Sequence, residues 1–104
     1  MAELFDTAHF HHMTGGDRAL QVEILGLFRM QVDGWNAALG EGDWRAAAHT
    51  VKGSARGIGL TALAEACEAA EQAQDAEAAL ALTQLRAALD QALAALDQFV
   101  ADAA

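Results

Sequence analysis

Proline and tyrosine are absent from this 104-residue chain, and cysteine occurs once. The lone Cys67 excludes an intramolecular disulfide and any zinc site built on cysteines. Without proline, the chain breaks at glycine: at Gly15-Gly16, at Gly40 and Gly42, and at Gly57 and Gly59. Lysine and arginine number six against fifteen acidic residues, a net charge of −9. Nucleic acid and anionic membrane both reward positive fields, so neither is expected as a partner. No run of about 18 apolar residues occurs, so no spanning helix is expected. The N-terminus lacks the basic-then-apolar pattern of a secretory signal, which predicts a cytoplasmic protein. Nothing alternates with period two over a useful length, so no strand is predicted. There is no Gly-x-x-x-x-Gly-Lys-[Ser/Thr] loop and no room for a nucleotide-binding domain. One domain spanning residues 1–104 is expected.

What remains is a helical pattern. Residues 3 to 13 read as a short helix with Asp6 as its N-cap. A long helix runs from after Gly16 to about Leu39, with Leu20, Ile24, Leu27, Phe28, Trp35 and Leu39 as its apolar face. A third spans about 44 to 57, N-capped by Asp43 and ended by Gly57 and Gly59. A fourth runs from about Leu60 to Ala73 with the stripe Leu60, Leu63, Cys67 and Ala70. Cys67 on that stripe reads as a small buried apolar residue rather than a nucleophile. Asp75 caps a last helix reaching about 101, with Leu82, Leu85, Leu89, Leu93, Leu96, Phe99 and Val100 inward. Short connections make neighbours antiparallel. The expected fold is all-α: an up-and-down four-helix bundle with a short N-terminal helix packed against it.

His9, His11 and His12 form the one histidine-rich patch. His9 and His12 are spaced to share a helical face. No second cluster of His or Cys completes a ligand set, so the patch reads as part of an ordinary amphipathic helix and no metal is predicted.

The informative stretch is Ala48-His49-Thr50-Val51-Lys52-Gly53-Ser54-Ala55-Arg56-Gly57-Ile58-Gly59-Leu60. A helix turns about 100° per residue, which groups Trp44, Ala48, Val51, Ala55 and Ile58 in one apolar stripe. His49, Lys52, Gly53 and Arg56 group elsewhere, roughly 130° from the stripe's centre by the same step. His49 is therefore expected on the wet side, beside cations, with a residue lacking a side chain one turn away. Three of the six cations, Arg45, Lys52 and Arg56, fall between residues 45 and 56. In an acidic protein, that concentration around one histidine suggests an anion. Glu71 flanks the stripe of the fourth helix and is placed to face the third.

This stretch resembles the histidine-containing phosphotransfer (HPt) domain family. The resemblance rests on His49, the apolar Val51, Lys52-Gly53, the small Ser54, Gly59, Leu63, Cys67 and Glu71. It departs from the family pattern at Arg56-Gly57. The family's members are four-helix bundles that shuttle a phosphoryl group in phosphorelays. The resemblance implies His49 as phosphoacceptor, Lys52 as the group holding the phosphoryl oxygens, and Gly53 as room for the partner. It implies Glu71 as the acceptor for the other imidazole nitrogen. Arg45 and Arg56 are expected to join Gly53 in partner docking. The implied partners are response-regulator receiver domains and a hybrid sensor histidine kinase. No cofactor of its own is expected, and the Mg²⁺ would sit in the partner's receiver domain. A monomer is expected.

Two other readings accompany this one. The chain is alternatively a phosphoacceptor domain cut from a hybrid or chemotaxis-type histidine kinase; a first Met and an ordinary helical tail favour the freestanding form. In a different class, it is a helical interaction module with an incidental surface histidine.

Overall fold

The computed structural model describes residues 3–102. It contains five α-helices: α1 (Thr7–Thr14), α2 (Arg18–Leu39), α3 (Trp44–Ile58), α4 (Thr61–Gln72) and α5 (Ala78–Asp102). A short 3₁₀ turn, Asp75–Glu77, leads into α5, and there is no strand among the described residues. The long helices α2 to α5 form the bundle, and α1 lies against α3.

Local chemistry sets most of the boundaries. Asp6 N-caps α1, its carboxylate accepting from the His9 amide at 3.0 Å. Gly15 closes that helix with a left-handed φ of 62°. Asp17 caps α2 in the same way, accepting from Leu20 N at 3.1 Å. Asp43 precedes α3 but makes no side-chain cap bond, contrary to the expectation from its residue type. The predicted start of α1 at residue 3 is also corrected, because residues 3 to 6 form a non-helical strap.

That strap is held by two backbone bonds to the α3–α4 turn. Asp6 N donates to Gly59 O at 2.8 Å, and Ala62 N donates to Glu3 O at 2.9 Å. Gly59 ends α3 with φ of 91°, and a Cβ there would lie 2.9 Å from Asp6 O. Both the backbone angle and the approach of the strap demand glycine at this position. Gly57, by contrast, sits inside the helix and does not end it.

The core contains Phe10, Phe28, Trp35, Leu39, Val51, Leu60, Leu63, Leu85, Leu89 and Leu96. Full burial of each such side chain is worth about 1.5–3 kcal/mol relative to exposure. Phe28 meets Trp35 edge-on with ring centres 5.1 Å apart. Phe5, Phe10 and Phe99 close the end of the bundle where the strap and α1 meet α5.

On α2 the inward stripe is rotated from the one the sequence suggests. Gln21, Leu25, Phe28, Val32, Trp35 and Leu39 are buried, whereas Leu20 and Leu27 are exposed and Ile24 is half-buried. The helix carries apolar residues on two adjacent faces, and only one can turn inward. Gln21 is tolerated in the interior because its amide is satisfied. Its Nε2 donates to His11 Nδ1 at 3.0 Å and to Thr14 Oγ1 at 3.0 Å. On α5, Val100 is exposed rather than inward, and Leu82, Leu93 and Phe99 are half-buried.

Candidate functional site

The site is built by α3 and α4. Their facing sides carry small buried residues, Ala48, Ala55, Ala64, Cys67 and Ala70, with Val51 and Leu63 among them. The packed pair brings residues 22 positions apart into hydrogen-bond range. His49 lies mid-helix on α3 with its side chain 71% exposed. Its Nδ1 is 3.1 Å from Glu71 Oε2 in the last turn of α4. The other carboxylate oxygen, Oε1, is shut off from solvent and faces Lys52 Nζ at 2.7 Å. One carboxylate thus bridges an imidazole and an ammonium.

The protonation states follow from this geometry. Hydrogen bonding to Lys52 lowers the Glu71 carboxyl below its ordinary 4.5, and the bond to His49 adds to the effect against the opposing cost of burial. An ionised carboxylate only accepts hydrogen bonds. Nδ1 of a neutral His49 therefore carries the proton, and the lone pair belongs to Nε2, on the far edge of the ring. The arrangement selects one tautomer and leaves its basic nitrogen toward solvent.

Lys52 is more enclosed than the helical wheel suggests, its side chain only 12% exposed. The three cations expected around His49 all have acidic partners. Lys52 is paired with Glu71, and Arg56 Nη2 stands 3.7 Å from Glu68 Oε2. Arg45 reaches the C-terminal end of α4 and Asp75. Gly53, one turn beyond His49, is open: a Cβ built there meets no atom of the described residues within 4 Å.

Beneath the site, Cys67 is fully buried, and burial, with the charge of Glu71, pushes its thiol up to about 12. A thiol so protonated is a packing group and not a nucleophile. The N-terminal histidines lie on α1, outside this site. His11 is held by Gln21, and no group of three His, Cys, Asp or Glu suited to a metal ion occurs among the described residues.

One feature of the site's surroundings follows from the rotated stripe of α2. Leu20, Ile24, Leu27 and Gln31 form an outer row on that helix. Between the row and α3 runs an open groove lined by Ile24, Leu27, Phe28, Gln31, Ser54 and Ile58. The sequence signal was present in the second apolar face of α2, but it reads there as core.

The depressed carboxyl of Glu71 has a testable sign. Its contribution to stability is present in full above 4.5 and is lost as the pH falls through the lower folded-state value. A carbon-13 titration of the Glu71 carboxyl should give a midpoint below 4.5, and Lys52→Ala should move it upward. An unchanged midpoint in that variant would show that the ammonium does not hold the carboxylate.

The structure is an all-helical bundle that presents on one helix an exposed histidine bonded to a carboxylate of the next. Residues 23–99 match the Hpt domain family model. A solved structure, the histidine phosphotransferase ShpA from Caulobacter crescentus, is 36% identical to the chain. The match covers 96% of this chain and 93% of that one, with a TM-score of 0.82. No curated protein matches. The chain belongs to the Hpt domain family.

Proposed function

We propose that the protein is a phosphoryl carrier of a phosphorelay: His49 accepts the phosphoryl group from a receiver-domain aspartate and passes it to the aspartate of a response regulator. The observation that carries this reading is the His49–Glu71 bond, which frees Nε2 for attack while Nδ1 stays protonated. Nε2 attacks the phosphorus of the aspartyl phosphate. The N–P bond forms as the P–O bond breaks, and the aspartate leaves as a carboxylate. The ring becomes cationic, and the Glu71 carboxylate beside Nδ1 stabilises that charge. Lys52, three residues from His49 on the same helix, is placed to turn from Glu71 toward the incoming phosphoryl oxygens. Membership of the Hpt family supports a sensor histidine kinase at the head of the relay. The Mg²⁺ is that of the partner's receiver domain.

The partner docks over His49, against the open face at Gly53 and the apolar row Leu20, Ile24 and Leu27. Arg56, with 57% of its side chain exposed and only a loose pairing at 3.7 Å to Glu68, contributes a cation at the rim of that contact. Apolar docking makes the affinity fall only modestly with salt, since exposed ion pairs are the contacts that salt screens.

Incubation with a phosphorylated receiver domain tests the reading. The expected result is label on the chain within seconds, released by acid and stable to alkali as a phosphoramidate is. A chain that takes no label from any member of a receiver panel would leave it a helical interaction module instead. A steep loss of transfer with salt would overturn the apolar docking surface.

A further inference from the structure

We propose that Arg45 is a positioning residue for His49, acting through the last turn of α4. The helix α4 ends poorly by its own means. It has no basic residue in its last turn, and Ala73 follows it in extended backbone rather than as a left-handed glycine cap. The carbonyls at such an end are left without intrahelical donors and concentrate negative charge. Glu71, whose carboxylate sets the tautomer of His49, sits in that turn.

Arg45 supplies what α4 lacks. Its Nε donates to Glu71 O at 3.3 Å, and its Nη2 donates to Ala73 O. The guanidinium also stands 3.5 Å from Asp75 and lies over the Trp44 ring, 4.2 Å from its centre. A planar fork fixed on an aromatic face reaches two carbonyls at once. The first turn of α3 therefore clamps the last turn of α4, and both helix ends meet at the residue that orients the imidazole. These contacts engage Arg45 within the protein while 43% of its side chain stays exposed.

Without the clamp, the last turn of α4 frays and Glu71 is held less of the time against Nδ1. A neutral imidazole left to itself prefers its proton on Nε2, the nitrogen that must attack. The effect on transfer rests on the phosphoryl-carrier reading, but the effect on the tautomer does not. The test is a long-range proton–nitrogen spectrum of the full chain labelled at histidine, without any partner, at a pH where the ring is neutral. In Arg45→Ala, the His49 nitrogens should move toward the Nε2–H pattern while circular dichroism keeps its helical signal. Arg45→Lys should fall between, because a single ammonium lacks the fork. If the alanine variant fails to fold, the lysine variant decides by the same shift. Single-turnover transfer should drop about tenfold in Arg45→Ala, the lower end of what is lost when a group that orients a metal-ligating histidine is removed. Nitrogen signals unchanged from wild type would overturn the proposal, whatever the transfer rate. A wild-type chain that never takes label would overturn the carrier reading alone and leave the spectrum to judge Arg45.

Discussion

His49→Gln is expected to abolish phosphoryl labelling by a phosphorylated receiver and to leave the fold intact. Glutamine offers no nitrogen lone pair able to form a phosphoramidate, so the expected loss is complete rather than partial. The fold should survive because the side chain is 71% exposed and its hydrogen bond is to Glu71. Exposed substitutions of this kind usually stay within about 0.5 kcal/mol. Glu71 keeps Lys52 as its partner when the imidazole is gone. The other histidines are poor substitutes. His11 has its Nδ1 occupied by Gln21, and neither His9 nor His12 has a ring bond to a carboxylate among the described residues. Labelling by the receiver and circular dichroism on the same sample check both halves. Label that persists, or that moves to the N-terminal histidines, would refute the assignment of His49.

Gly53→Gln is expected to separate stability from transfer. Glycine inside an exposed helix costs about 0.8–1.0 kcal/mol relative to alanine, and glutamine is a good helix former. The space at Gly53 is open, so a Cβ there meets nothing beyond its own stretch of helix. The melting temperature should therefore hold or rise. Transfer should fall sharply, on the order of 100-fold, because a misplacement of about 1 Å between reacting groups costs that much. The partner's aspartate must come almost into contact with Nε2, and a glutamine one turn away stands over the approach. Gly53→Ala should be stabilising and only mildly slowed. The comparison needs a thermal melt and a single-turnover rate for each variant. A glutamine variant that transfers at the wild-type rate would show that the partner does not approach across this face.

The two predictions draw on features that the sequence displays unequally. The periodicity of α3 and α4 places Ala48, Val51, Ala55, Leu63, Cys67 and Ala70 inward, and all are buried. The outward setting of His49 follows from the same wheel, and so does the openness at Gly53. What periodicity does not carry is the choice between two apolar faces on one helix. On α2 both faces have helical spacing, and the inward one contains a glutamine. Only the partners on α1, His11 and Thr14, make Gln21 acceptable inside, and they come from another element. The same reason hides the duties of the cations. Lys52 and Arg45 look alike on a wheel, as charges beside a histidine. One is enclosed against a carboxylate from α4, and the other is spread over the end of that helix. Such pairings are set by how two helices pack, which a single helix's pattern does not encode.

The strap at the N-terminus carries a consequence for how the molecule breathes. Its two bonds run in opposite senses between residues far apart in the chain: Asp6 gives its amide to the turn, and the turn gives Ala62's amide back. Neither bond belongs to a helix, and Gly59 brings the two backbones close enough for both. Lifting the strap breaks them together, so the amides of Asp6 and Ala62 should share one opening event and the same protection against exchange with solvent. The α3–α4 turn, which sets how those two helices meet, is thus locked or loosened by a segment that lies more than fifty residues earlier in the chain.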